Sequence, residues 1–183
     1  MKKVLIITII VLLAFLFGCK KYNNRHPYFT FGEVGNEWTY QYLKISTATG
    51  DTLVNEPVIY RIISEDGGGM FTYEYTLRDN VFTSTWLISP NEFGQTAEDV
   101  YLTSSSLLDD VNVGDNAIIH VDEIVEVLGE TITCFEVHTS YELIPDGTTL
   151  WINPDYGIVK QNSINTTEAL RFQYILTDWN LQE

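Results

Sequence analysis

Phe71, Tyr73, Tyr75 and Leu77 alternate with Thr72, Glu74, Thr76 and Arg78. That period of two puts the aromatics on one face of a strand and the polar residues on the other. The rhythm recurs along the chain. Trp38, Tyr40 and Tyr42 alternate with Glu37, Thr39 and Gln41, and Leu170, Phe172, Tyr174 and Leu176 share one face near the end. Ile119, Val121, Val125 and Val127 do so between them. No stretch after residue 27 carries a convincing amphipathic helical stripe. Turn signals punctuate the alternation at Thr49-Gly50-Asp51, Asp66-Gly67-Gly68-Gly69, Asp79-Asn80 and Pro145-Asp146-Gly147. Val54–Ser64 reads as a returning strand in which Pro57 calls for an edge or a late start. Residues 90–115 read as a loop with one short strand around Val100–Thr103. A three-residue turn at Gly129-Glu130-Thr131 would set Val125 opposite Phe135 and Val127 opposite Thr133. The prediction is an all-β domain: a single antiparallel meander of about ten strands, curled into a barrel or half-barrel with up-and-down connections.

The first nineteen residues obey a different rule. Lys2 and Lys3 precede an apolar run from Val4 to Phe17, broken only by Thr8, and Gly18-Cys19 ends it. This is the layout of a secretory signal peptide. Sixteen helical residues reach roughly 24 Å, short of the roughly 30 Å of a bilayer core. Leu16-Phe17-Gly18-Cys19 resembles the lipobox of bacterial lipoproteins, which implies cleavage before Cys19 and a lipid on its sulfur. The chain then divides into a signal peptide, 1–18, a flexible tether, 19–27, and a β-sheet domain, 28–183.

Twenty-five acids against ten Lys and Arg give the whole chain a charge of −15, and loss of Lys2 and Lys3 would make it two units more negative. Such a surface repels phosphates, so nucleic acid is not an expected partner. Lys20, Lys21 and Arg25 follow the anchor directly, within about a Debye length (8 Å) of the headgroups. With Cys19 lipidated, Cys134 is the one remaining cysteine. It has no disulfide partner in the chain and reads as a small buried hydrophobe.

Four fragments carry a resemblance. They are Phe31-Gly32-Glu33-Val34-Gly35-Asn36-Glu37-Trp38-Thr39-Tyr40, Val111-Asn112-Val113-Gly114-Asp115, Thr133-Cys134-Phe135-Glu136-Val137, and Leu150-Trp151-Ile152-Asn153-Pro154-Asp155-Tyr156-Gly157-Ile158-Val159-Lys160. Together they resemble a loose group of Bacteroidota envelope lipoproteins, mostly of unknown function. That group has a V-G-N/D-x-W start at the head of each half and a W-x-x-P-x-x-G-x-V-K segment near the end. The resemblance implies a curved antiparallel sheet, similar to that of periplasmic lipoprotein carriers, whose concave face holds acyl chains. Gly35 and Gly114 would then head duplicated segments, each glycine serving a positive-φ turn at a strand entrance. Two ordinary turns would look the same.

Catalytic signatures are missing. The sequence has no H-E-x-x-H, no G-x-S-x-G and no calcium loop. Gly67-Gly68-Gly69 lacks the lysine of a phosphate cradle. His120, His138, Asp122 and Glu136 would share one strand face, a pattern that suits either a metal or an ordinary solvated surface. No cofactor and no metal are assigned. The expectation is a non-enzymatic lipoprotein, anchored to the outer membrane through Cys19 and facing the periplasm. Its curved sheet would bind an apolar or amphipathic ligand or an envelope protein. The alternative is a surface glycan-binding module, with a hydrolase a distant third. Trp38, Trp86, Trp151 and Tyr156 are the candidate ligand-binding residues, though most aromatics should line the core. Asp51-Thr52-Leu53 resembles a Bacteroidota O-glycosylation site.

Overall fold

The structure, a computed structural model, describes residues 29–95, 100–103, 117–127, 129–141 and 144–182. The signal peptide, the tether, Cys19 and the second V-G-x start lie outside these residues. Eleven strands follow one another: β1 (Glu37–Ser46), β2 (Thr52–Glu65), β3 (Met70–Leu77), β4 (Asn80–Ile88), β5 (Glu92–Gly94) and β6 (Val100–Thr103) make a first meander, and β7 (Ala117–Val127), β8 (Glu130–Tyr141), β9 (Ile144–Asn153), β10 (Gly157–Asn165) and β11 (Leu170–Asn180) a second. They form one antiparallel sheet in the order β6-β5-β4-β3-β2-β1-β11-β10-β9-β8-β7.

Every neighbouring pair except β1–β11 is a sequential hairpin, so the topology is an up-and-down circuit cut between β6 and β7. Strand parity accounts for the cut. Since every pair in the order is antiparallel, β6 and β7 run in the same direction, and an odd number of strands cannot close as an all-antiparallel ring. Joining parallel neighbours needs a crossover rather than a hairpin. Among the described residues the sheet stays open there, and this is the half-barrel outcome of the sequence reading. It still curls tightly, for β7 returns within 8 Å (Cα–Cα) of β11.

The alternation of β1 and β3 lies where the pattern places it. Trp38, Tyr40 and Tyr42 are buried on the concave face, and the register sets Trp38 beside Tyr60, Tyr60 beside Tyr75, and Tyr75 beside Phe82. Pro57 fits because β3 pairs with β2 only from Ile59 onward, so no ladder bond is asked of it on that side.

Four local readings need correction. β5, three residues long, is a strand that the loop reading of 90–115 missed, although β6 falls on Val100–Thr103 as expected. The β3–β4 turn is Arg78-Asp79, both with positive φ, rather than Asp79-Asn80. Pro145-Asp146-Gly147 is no hairpin turn but lies inside β9. There the register shifts between Thr139 and Tyr141 of β8, and Gly147 takes φ +78°. Val125 pairs with Ile132 and Val127 with Glu130. A two-residue turn ending in Gly129, φ +79°, replaces the predicted three-residue one. Register shifts in β7 then set Ala117 opposite His138 and His120 opposite Glu136. The burial alternation of β8 changes phase between Cys134 and Val137, so Ile132, Cys134, Val137 and Thr139 are all interior.

One end of the curl is stoppered by residues 29–36. Phe29 and Phe31 sit in the core beside Trp38, Phe71, Trp86, Ile88 and Phe93. Asn36 ties the segment down: its Nδ2 donates to the Phe31 carbonyl (2.7 Å) and its Oδ1 accepts from the Gln182 amide (2.7 Å). Its backbone carbonyl accepts from the Ile62 amide, and the Gly35 amide donates to the Ile62 carbonyl (2.9 Å each). Gly35 holds φ +99° to make that approach.

The ladder between β10 and β11 stops at Lys160–Ile175. Beyond it, the Tyr156 carbonyl accepts from Trp38 Nε1 (2.8 Å) and the Ile158 carbonyl from the Tyr40 hydroxyl (2.7 Å). Side chains of β1 thus fill a gap where two strands part. Tyr40→Phe removes only that hydroxyl and should lower the unfolding free energy by about 1–3 kcal/mol in urea titration with m unchanged. Tyr75→Phe, whose hydroxyl makes no such buried bond, should stay within about 0.5 kcal/mol of wild type. Equal losses would mean that the Tyr40 bond is not structural.

Candidate functional site

The concave face changes character along its length. Near the stopper it is apolar, built from Phe31, Trp38, Ile62, Phe93, Ile152 and Leu176. Toward the opposite end the registers define two successive rows. The first runs Glu56–Tyr42–Tyr174–Gln161–Leu150–Val137, and the second Val54–Lys44–Phe172–Ser163–Thr148–Thr139. The second row has a hydroxyl floor. Thr148 and Ser163 share a 2.8 Å bond, Thr139 Oγ1 donates to the Thr148 carbonyl (3.4 Å), and all three residues are buried. Gln161 Nε2 donates to Ser163 Oγ at 3.3 Å. Buried hydroxyls persist only when bonded, and these are.

Aromatic rings tile the first meander's share of this face. Tyr60 stacks on Tyr75 (4.8 Å, 10°), Tyr75 on Phe82 (5.1 Å, 18°), and Tyr73 on Trp86 (4.2 Å). Tyr42 meets Tyr174 at 4.9 Å. Because ring faces are turned toward each other, edges and hydroxyls are what the rings have left to offer a ligand. Aromatic edges carry the positive part of the quadrupole and phenols donate, so the surface favours hydrogen-bond acceptors. Phe82 is 42% exposed and Tyr75 and Tyr174 are half-buried, so the tiling reaches solvent at the open end.

Charge at this end is sparse. Arg78 Nε pairs with Glu56 Oε1 at 3.3 Å. The Lys44 ammonium lies 5.8 Å from the centre of the Phe172 ring, with no carboxylate within ion-pair distance among the described residues.

The four sequence candidates do not converge. Trp38 (1% exposed) and Trp86 (6%) are core residues 5.9 Å apart, so neither offers an open ring face. Trp151 lies on the convex face, paired with Glu136 and covered by the Lys160 ammonium at 4.3 Å. Tyr156 sits in the β9–β10 turn against Trp179 (4.9 Å). That turn is built by Asn153, whose Oδ1 accepts from the Asp155 and Tyr156 amides (2.8 and 3.0 Å) and whose Nδ2 donates to the Thr133 carbonyl (2.9 Å). A Cβ on Gly157 would stand 3.1 Å from the Phe31 ring. The quoted W-x-x-P-x-x-G-x-V-K and V-G-N-x-W segments thus meet in one structural joint. His138 accepts or donates with Thr149 (3.0 Å) and lies 3.7 Å from Glu136. Among the described residues no three His, Cys, Asp or Glu are grouped to hold a metal. Asp51-Thr52-Leu53 is exposed where β2 begins.

Lys44, Tyr60, Tyr75, Phe172 and Tyr174 were not singled out as site residues from sequence. The signal existed: Lys44 continues the Trp38-Tyr40-Tyr42 alternation, which puts a cation on the inward face.

Burial raises the pKa of Tyr40, Tyr60, Tyr73 and Tyr174 above the ordinary 10, and neighbouring phenols reinforce it. An acid whose folded pKa is raised supports the fold below its unfolded value and loses that support as pH rises through the folded one. The unfolded chain ionises near pH 10 while the cluster does not, so stability falls above pH 10. Tyrosinate absorbance at 295 nm should therefore rise for these residues only together with loss of near-UV circular dichroism. Ionisation of all tyrosines before unfolding would contradict the buried cluster.

No protein-family model matches the sequence, and no curated protein does. Solved structures do. A predicted exported protein with a YmcC-like fold from Bacteroides fragilis superposes with a TM-score of 0.54 at 15% identity, covering 84% of this chain and 99% of that one. A predicted lipoprotein from Parabacteroides distasonis gives 0.52 at 14% identity, covering 84% and 98%. At such identities the likeness is one of fold: the curled meander is an architecture this chain shares with both.

Proposed function

We propose that the chain is a non-enzymatic lipoprotein of a bacterial outer membrane, anchored through Cys19 and facing the periplasm, whose concave sheet face holds an amphipathic ligand. The observation that carries this reading is the polarity gradient along the concavity. An apolar, stoppered end passes into one where phenol edges, Gln161 and Lys44 reach solvent. A molecule with one greasy and one polar part matches such a surface in a single orientation, whereas a uniformly apolar one would leave the phenols without partners. The exported and lipoprotein descriptions of the two structural neighbours support an envelope location. The lipobox-like Leu16-Phe17-Gly18-Cys19 supports the anchor.

The ring arrangement weighs against the glycan alternative. Sugar recognition by stacking needs an open aromatic face, and apart from Phe82 at the end of the row the tiled rings present edges. Trp151 and Tyr156, outside the concavity, are where a glycan reading would have to rest.

Two measurements test the proposal. Cells labelled with radioactive palmitate should show a labelled band that Cys19→Ala abolishes, with the variant lost from the membrane fraction, since lipid chains supply the attachment. Protein isolated without added lipid and analysed by mass spectrometry should carry a co-purifying amphiphile. An unlabelled wild-type band would overturn the anchor. A chain free of amphiphile that responds instead on a glycan array, with loss on Trp151→Ala, would overturn the ligand class.

A further inference from the structure

Lys44 is the residue that the rest of the site leaves unexplained. It stands on the inward face of a chain of net charge −15, where surplus carboxylates are plentiful, yet none of those described is within ion-pair distance. Its register neighbours are Val54 on β2 and Phe172 on β11. Its stem therefore lies among apolar groups, and the ammonium hangs over a ring at 5.8 Å. Along the same row follow Ser163, Thr148 and Thr139. Beside it stand the Tyr42 and Tyr174 rings. Asp51 and Glu168 stand on the exposed turns at this end, and Glu56 lies in the neighbouring row, where Arg78 holds it at 3.3 Å, which removes the most immediate competitor for an incoming anion.

We infer that the amphiphile bound in the concavity is a long-chain carboxylate, with Lys44 at the open end as counter-charge to its head. The inference rests on the reading of the concave face as an amphiphile site and names its ligand class. One ammonium flanked by neutral phenol and hydroxyl groups is matched to a head bearing a single negative charge. A phosphate monoester carries nearly two, and a fixed fork of arginines is its usual partner. In a molecule this acidic a second negative charge would meet more repulsion than one lysine offsets. A cationic head is refused by Lys44 itself. A neutral ester would leave the ammonium unpaired while covering it from water. The tail lies along the half-buried Phe172, Tyr174 and Tyr75 rings of this face, since Leu150 and Leu176 are packed in the core.

The test uses the full chain in membrane-mimetic particles, with empty particles as the blank, titrated with oleate and with methyl oleate. Wild type should bind oleate about tenfold more tightly than the ester, the scale of one charge-assisted hydrogen bond. Lys44→Met keeps the stem over Phe172 and should bring the two ligands to equal affinity without weakening the ester. Lys44→Arg should preserve the preference. In wild type the ¹³C-carboxyl resonance of labelled oleate should titrate at lower pH than in Lys44→Met. Equal binding of oleate and ester by wild type would overturn the carboxylate inference while leaving an amphiphile site intact. Binding of neither would overturn the amphiphile site itself. A preference that survives Lys44→Met would remove Lys44 from the role.

Discussion

The curl of this sheet is held at the joint between residues 29–38 and the β9–β10 turn. A single sheet with one apolar face can hide that face only by curling on itself, and something must hold the curl. Here Phe31 packs on Gly157, the Thr30 amide donates to the Pro154 carbonyl (3.0 Å), and Trp38 reaches the Tyr156 carbonyl. Asn36 meanwhile binds the C-terminal Gln182 amide and the β2 backbone. Both meanders and both described ends of the chain are thereby fastened at one place. The polar atoms involved are mostly backbone groups that would otherwise be buried without partners, so the joint settles hydrogen-bonding needs and closes the curl together.

With phenylalanines and tryptophans concentrated near the joint, the opposite rows need not supply the core, and they carry Lys44, Gln161, Ser163 and Thr148 instead. The domain enters the described structure at Phe29, on the stoppered side. The aromatic tiling links fold and site. Tyr60, Tyr73 and Tyr75 stack through their faces and leave their edges toward the concavity.

Strand alternation was legible because one face of each central strand is buried, and burial is what period two records. That is why β1, β3 and β11 could be read almost residue by residue. β5 could not: Glu92-Phe93-Gly94 is too short to show a period, and its place comes from Phe93 filling the core beside Phe31. Pro145-Asp146-Gly147 carries turn chemistry, but the same φ > 0 glycine serves a bulge, and only pairing across β8 distinguishes the two. The β7–β8 register failed for a related reason, since bulges break the parity that a pattern argument assumes. As for the site, large aromatics drew attention to Trp38 and Trp86, whose size makes them core. What marks the open end is a lysine in the inward phase of an aromatic strand, a weaker signal in the sequence and a stronger one in space.

The central claim is that an amphiphile lies in the concavity and nowhere else on the sheet. Intermolecular NOEs between stearate and side chains of the isotopically labelled full chain read this directly, because they report contact alone. The account predicts contacts to the Gln161, Phe172 and Tyr174 side chains, with none to Trp151 or Lys160 of the convex face. Contacts centred on Trp151, or spread evenly over both faces, would contradict it.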